Sequence, residues 1–532
     1  MATTISSTTF SITRGFSPWI SDFARRARAM LGAMALACAL WASLSAASEP
    51  AAPAQKPRLQ PDYTDLTIPP NIAPLNFLIL EPGTSFHVSL RGAAGAPVEV
   101  DSSSPKIRFP EAEWRRVLGL NRGSPLLVEV GLQGEDKQWR RFPAMTSWIA
   151  AEDIDPVLIY RKIHPSHSSW RAMGLYQRDL RTFDEAPILE NRRFDNDCCH
   201  CHALRNNDPN HATLLVRSTA YKNSILVISN GVAEAIEGLA GFTAWHPKAD
   251  VVVSAFSKPR LLLHSARKGD MRDIGELEGW LGYFRLGSGL VREVPAGDRS
   301  RLLAFPAWSP DGAYLYYCSA PNPLANPTNT LPGTYSTVKY DVMRIAYDRV
   351  RDQWGEPETV LSARDLGFSL AQPRISPDGR WLFFCGTAYG CWPTYDPGSD
   401  LYGTDLSSGR ENGKYGWRKL ELSSPECESW LSWSSNSRWV IFSSKRESPL
   451  LNRPYLAYVA PNGRCSKPFI VPQRDPTYYD SLLKTYTIPT LATGPVTVPQ
   501  RELVKAIKAA RKRTLVMPDA ARSKQPQVIY DQ

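Results

Sequence analysis

One pattern returns four times in the second half of this 532-residue chain, and it restricts the fold more than any other feature. The copies read Trp245-His246-Pro247-Lys248, Trp308-Ser309-Pro310-Asp311-Gly312, Ile375-Ser376-Pro377-Asp378-Gly379 and Trp433-Ser434-Ser435-Asn436-Ser437, starting 63, 67 and 58 residues apart. In each, an aromatic or aliphatic strand end meets turn-forming residues, then a run of β-branched and aromatic side chains at 251–254, 314–318, 381–385 and 439–443. A second strand-like motif follows each copy, at 280–286, 340–345, 400–406 and 454–459. Two signatures per period of about sixty residues describe a four-stranded blade with long loops. A blade cannot bury both of its faces alone, so several must stack in a ring. The fold class expected is mainly β: a β-propeller of five or six blades over 205–480, with 212–231 as a degenerate first blade.

Short alternating runs at 77–80, 86–90 and 126–132 predict a small β-sandwich-like domain over 70–150. Residues 151–204 read as a connecting segment. The 44 prolines and 34 glycines suit such a chain and exclude coiled coil and collagen.

The net charge of +10 belongs to the ends. Residues 1–47 hold four arginines against one aspartate, and residues 501–532 hold eight Lys or Arg against three acids. The body is nearly neutral, so no nucleic-acid surface is expected. Arg25, Arg26 and Arg28 precede the apolar run 30–46, which ends in small residues. This predicts a cleaved signal peptide over 1–47, a Pro/Ala-rich linker over 48–69, a periplasmic location and no transmembrane segment in the mature protein. The basic tail, 481–532, includes a helical pattern at Leu503, Ile507 and Ala510 that suits a solvated terminal helix or a membrane-surface helix.

Export permits disulfides among the eight cysteines left after cleavage, and Cys385 and Cys391 are spaced to close a small loop. The informative stretch is Cys198-Cys199-His200-Cys201-His202. Read as Cys198-x-x-Cys201-His202 it is the attachment pattern for c-type haem: two thiols for two vinyl groups, and an imidazole for the iron. One covalent haem c per chain is expected, with Cys199 as a spacer. The rival uses of the pentapeptide are a zinc site and a disulfide. Seven of the eight histidines fall within 164–264. His211, His246 and His264 are the distal-ligand candidates, with Met173 and Met271 behind them. No hydrolase elbow, zinc-protease motif or phosphate loop is present.

The chain resembles exported TolB-like β-propeller proteins of bacteria that carry a haem-attachment motif before the blades. The resemblance rests on residues 170–180, on Glu190-Asn191 before Cys198-x-x-Cys201-His202, on Asn207-Asp208-Pro209, on the Ser-Pro-Asp-Gly turns and on 454–476. It implies thioether bonds at Cys198 and Cys201 and His202 as the axial ligand. TolB itself has an α/β domain before its propeller, which this sequence lacks, so TolB's envelope role is not implied. Three functions follow: electron transfer through a propeller-held haem with a periplasmic redox partner, a protein- or peptide-binding propeller without redox activity, or a haem oxidoreductase.

Overall fold

The computed structural model describes residues 55–165, 172–238, 241–263, 272–298, 300–323 and 333–510. The expected signal peptide, His264 and Met271 lie outside the described residues.

Between residues 157 and 492 the chain forms six four-stranded antiparallel sheets. Sheet 2 comprises Cys198–Arg205, Asp208–Arg217, Ser224–Ser229 and Val232–Glu237. Sheets 3 to 6 begin with Thr243–Trp245, Arg301–Trp308, Ser369–Ile375 and Glu428–Trp433. The 251–254, 314–318, 381–385 and 439–443 runs all lie in the second strands of those sheets, Val251–Leu263, Tyr314–Pro321, Trp381–Thr387 and Trp439–Ser444. Equivalent turns place them there. The Ser309 hydroxyl accepts from Tyr314 N at 2.9 Å and donates to Asp311 Oδ1. Ser376 serves Trp381 N at 2.9 Å, and Ser434 serves Trp439 N at 3.0 Å.

Sheet 1 draws on both ends of this region. Val157–Ile163, Gly174–Asp179 and Glu185–Glu190 come from the segment read as a connection, and Thr485–Ala492 from the tail joins them beside Val157–Ile163. Pairing across more than 300 residues leaves no local signature, which is why the sequence reading missed it. The first strands of sheets 2 to 6 touch in order, the last touches Thr485–Ala492, and that strand touches Cys198–Arg205. This contact order is propeller-like.

Ahead of these sheets lie a six-stranded sheet, a three-stranded sheet and the helix Glu111–Leu120, which buries Trp114, Val117 and Leu118. The helix adds to the all-strand reading of 70–150. One hydrophobic core runs from these elements into sheet 6, and Tyr63 donates to Ile470 O across the seam. The terminal helix Gln500–Lys508 buries Leu503 and Ile507 in the core shared by sheets 1 and 2. Its apolar face is therefore already covered, which removes the membrane-surface reading. None of the eight described cysteines, Cys385 and Cys391 included, forms a disulfide.

Candidate functional site

The pentapeptide Cys198–His202 opens the innermost strand of sheet 2, and a β-bulge interrupts it. His200 pairs with Leu215 and His202 with Leu214, so Cys201 is the extra residue, at φ 41°. Four other inner strands carry the same interruption around a left-handed residue: Phe305 (φ 50°), Gln372 (φ 53°), Trp430 (φ 57°) and Ile488 (φ 55°). Left-handed backbone is unfavourable for such side chains by roughly 1–2 kcal/mol, so packing between the sheets imposes it rather than the local sequence. In sheet 3 the matching residue is Phe242, four before His246 as Phe305 is four before Ser309. Phe242 stacks on Phe305 at 4.3 Å between ring centroids and lies 5.4 Å from Trp430. Phe242 and the bulge residues of sheets 4 and 6 thus converge, and Cys201 packs against the same core. Sequence reading missed this second repeat, although Phe305-Pro306-Ala307-Trp308, Gln372-Pro373-Arg374-Ile375, Ile488-Pro489-Thr490-Leu491 and Cys201-His202-Ala203-Leu204 preserve it.

The bulge sorts the pentapeptide into two faces. Directly opposed residues share a face, so Cys198 goes with Arg217 and His200 with Leu215, while Cys199 goes with Val216 and His202 with Leu214. Leu215 belongs to the core between sheets 2 and 3; Val216 and Leu214 belong to the core against sheet 1. Cys201 packs against the sheet 3 side. By strand pairing Cys198 and His200 share one face and Cys199 and His202 the other, while Cys198 also joins Cys199 in the core against sheet 1 and Cys201 packs towards sheet 3.

Burial dominates the chemistry of all five side chains. His202 is 8% exposed, and neither Nδ1 nor Nε2 has a hydrogen-bond partner. Burial, helped by the Arg161 charge, pushes its pKa down to about 3. His200 is 7% exposed, its Nε2 is unpartnered, and burial with Arg217 and Arg161 holds it well below the usual histidine range. Both imidazoles are neutral, the form that ligates a metal. Burial raises the Cys198 thiol, takes Cys199 to about 12 and takes Cys201 to about 11, against the pull of Arg161 on all three. Among the described residues no group of three or more His, Cys, Asp or Glu is arranged to hold a metal ion. The donor set, two thiols in Cys-x-x-Cys spacing with unpartnered neutral imidazoles, matches covalent haem in residue type, although seating one ring on Cys198, Cys201 and His202 would require the strand to rearrange around the bulge.

The distal candidates fall apart in space. His246 uses both ring nitrogens in its turn: Nδ1 accepts from Lys248 N at 3.0 Å, and Nε2 faces Gly312 O at 3.2 Å. His211 holds Asp208 Oδ2 at 2.8 Å through Nδ1. Met173 is buried in the core that also receives Cys198 and Cys199.

A further buried polar group, which sequence reading did not single out, lies in sheet 3. Glu276 lies on the strand Arg272–Arg285 and is 3% exposed. Its Oε1 accepts from Trp392 Nε1 at 2.8 Å, and its Oε2 has no partner. Nothing in the run Gly275-Glu276-Leu277-Glu278 marks the buried acid.

No family model and no curated protein matches the chain. Among solved structures it is similar to TolB from Acinetobacter baumannii, at 13% identity over 69% of this chain and 79% of that one, with a TM-score of 0.39. It is also similar to an oligogalacturonate lyase from Vibrio parahaemolyticus, at 13% identity over 72% of this chain and 100% of that one, with a TM-score of 0.33. A puromycin hydrolase gives 13% identity over 61% and 54% of the two chains and a TM-score of 0.35. Likeness at these scores carries no information on ligand or activity.

Proposed function

We propose that the protein is exported to the periplasm, that sheets 1 to 6 close as a six-bladed β-propeller, and that Cys198, Cys201 and His202 hold one covalent haem c for electron transfer. The observation that carries this reading is the His202 imidazole, buried on an innermost strand with both nitrogens unpartnered. An unsatisfied buried polar group costs about 1–3 kcal/mol, and an iron ligand bond would remove that cost. Thioether bonds from Cys198 and Cys201 would fix the ring, His202 would supply the axial nitrogen, and Arg161 and Arg217 would balance the ring's carboxylates. When bound, the haem supplies one-electron chemistry. The protein's part is to bury the imidazole, keep it neutral and exclude water.

The test is co-expression with a cytochrome c maturation system. Haem staining should survive boiling in detergent, and Cys198→Ala or Cys201→Ala should each weaken it, while Cys199→Ala leaves it unchanged. His202→Ala should keep a thioether-linked chromophore but lose the low-spin spectrum. Because His200 shares the face of Cys198, His200→Ala is the companion variant; a low-spin spectrum lost only there moves the axial role to His200.

A second reading has its own support. The pentapeptide occupies the positions that Leu302-Leu303-Ala304-Phe305-Pro306 fill in sheet 4, around the same bulge. On that reading the motif is inner-strand packing in a protein-binding propeller. A colourless protein with unmodified Cys198 and Cys201 would favour it.

A further inference from the structure

The hairpin formed by Val251–Leu263 and Arg272–Arg285 is longer than its neighbours, pairing from Val251 with Arg285 to Leu263 with Arg272. Thr243–Trp245 pairs only with its near part, at 252–254. The far part extends past that partner and lies against the inner strand of sheet 4, Arg301–Trp308. Gly279 permits the crossing, since a Cβ there would stand 2.8 Å from Leu303 O. Contacts with three other sheets then fasten the hairpin down as a strap. Asn322, just beyond the second strand of sheet 4, donates to Leu277 O at 3.1 Å, and Glu276 N donates to the Tyr335 hydroxyl at 3.3 Å. From the sheet 5 segment 388–395, Tyr389 donates to Asp273 Oδ2 at 2.7 Å and Trp392 Nε1 to Glu276 Oε1 at 2.8 Å. Arg272 donates to Pro165 O, past the first strand of sheet 1, and lies 5.4 Å from the centre of the Tyr395 ring.

The strap's hold on sheet 5 therefore runs through two buried carboxyl groups, Asp273 at 7% exposure and Glu276 at 3%. Glu276 is the more precarious of the two. Its Oε1 has the Trp392 indole, and its Oε2 has no hydrogen-bond partner. An ionised carboxylate buried in this way is unfavourable, whereas the same group in water is not. We propose that Glu276 is a pH-sensitive latch: protonated, it holds the strap closed on Trp392, and its ionisation releases residues 272–279 from the 388–395 segment. The proton leaves to bulk water and no other covalent bond changes. Release frees Trp392, which lies 5.4 Å from Phe242, and so bares the edge of the cluster that Phe242 forms with Phe305 and Trp430. No bound group takes part.

Burial sets the range in which the latch works. It raises the Glu276 carboxyl to about 7, against the pull of Trp392, Ser257 and Arg217. The titratable and charged groups that face it are Asp273 on its own strand, Tyr335 and Tyr340 from sheet 4, Cys391 from sheet 5 and Arg217 from sheet 2. Burial pushes both tyrosines and Cys391 far above neutrality, so they stay protonated while Glu276 titrates. With the closed-state value above the ordinary 4.5, closure is strongest below pH 4.5, weakens as pH rises to about 7, and is constant beyond.

The experiment is hydrogen exchange read by mass spectrometry on the full chain from pH 5 to 8.5, each rate divided by the unstructured rate at the same pH. In the wild type, protection of 272–279 and 388–395 should fall about tenfold or more between pH 5 and 7 and then level off. In Glu276→Gln, which cannot ionise, it should not fall. Trp392→Phe withdraws the donor that favours the ionised carboxyl, so there the fall should run on to higher pH before it levels. That variant reads the latch if Glu276→Gln fails to fold. The strand Trp439–Ser444 of sheet 6 is the internal control, and its protection should not follow. A flat wild type, an equal fall in Glu276→Gln, an unmoved plateau in Trp392→Phe, or the same fall in Trp439–Ser444 overturns the latch.

Discussion

The innermost strands of sheets 2 and 4 share a bulge, a register and a left-handed residue, yet they are filled with opposite chemistry. Sheet 4 places Leu302-Leu303-Ala304-Phe305-Pro306 there, all apolar. Sheet 2 places two imidazoles and three thiols at the same positions and leaves three imidazole nitrogens without partners. The backbone therefore does not require polar side chains on an inner strand. The orphaned imidazole costs about 1–3 kcal/mol, at a position that proline fills in sheets 1, 4 and 5.

The strongest way to break this comparison is to empty the apolar side of it. Phe305→Ala or Trp430→Ala removes a ring from the aromatic cluster and should cost 3–5 kcal/mol in a urea unfolding series, by the usual scale of about 3–5 for such truncations. Cys201→Ala, at the same bulge, should cost about 1 kcal/mol in the haem-free protein, because only one sulfur is lost. Equal losses at Cys201 and Phe305 would mean that the bulge positions do not converge as described.

Glu276 gives the next largest effect. Its folded-state pKa, about 7, stands above the ordinary 4.5, so the folded state binds the extra proton. Its contribution is fully present below pH 4.5 and is lost as pH rises through about 7. The shift corresponds to a loss of about 3 kcal/mol. Glu276→Gln should remove that slope and be the more stable protein at pH 8. His202 runs the other way: with its pKa depressed to about 3, its contribution is present above the ordinary 6.5 and is lost as pH falls towards 3. The two slopes overlap, so each is read as variant minus wild type.

His202→Pro sharpens the comparison directly, since Pro306, Pro373 and Pro489 occupy that position in sister strands. In the haem-free protein it should be stabilising by about 1–2 kcal/mol, through loss of the orphaned imidazole and a stiffer unfolded chain. It should also flatten the acid-side slope. The smallest effect belongs to the turns: Ser376→Ala loses the hydroxyl that serves Trp381 N, and should cost about 1 kcal/mol in the same series.

These regions also differ in how legible they were. The turns and second strands could be read from sequence because their residues act locally: Ser376 and Asp378 bond within the turn, and Gly379 sits at φ 77°, which glycine tolerates. The inner bulges could not be read, because Cys, Phe, Gln, Trp and Ile share a left-handed position that only packing between sheets imposes. Sheet 1 was hidden for a related reason, since Thr485–Ala492 pairs with a strand more than 300 residues away. At the site, residue types and spacing singled out Cys198, Cys201 and His202, but the faces on which they lie follow from the bulge. Glu276, Arg161 and Arg217 carried no motif, and only burial distinguishes that acid from its neighbour Glu278.

The central claim is that the polar inner strand of sheet 2 exists to hold a covalent group. Intact-mass spectrometry of the protein purified from periplasm, with peptide mapping across residues 198–202, tests it most directly. The account predicts a chain lacking residues 1–47 and one haem mass on a peptide bearing Cys198 and Cys201, stable to denaturation and weakened in each cysteine variant. A full complement of unmodified thiols at Cys198 and Cys201, from cells with an active haem-attachment system, would contradict it.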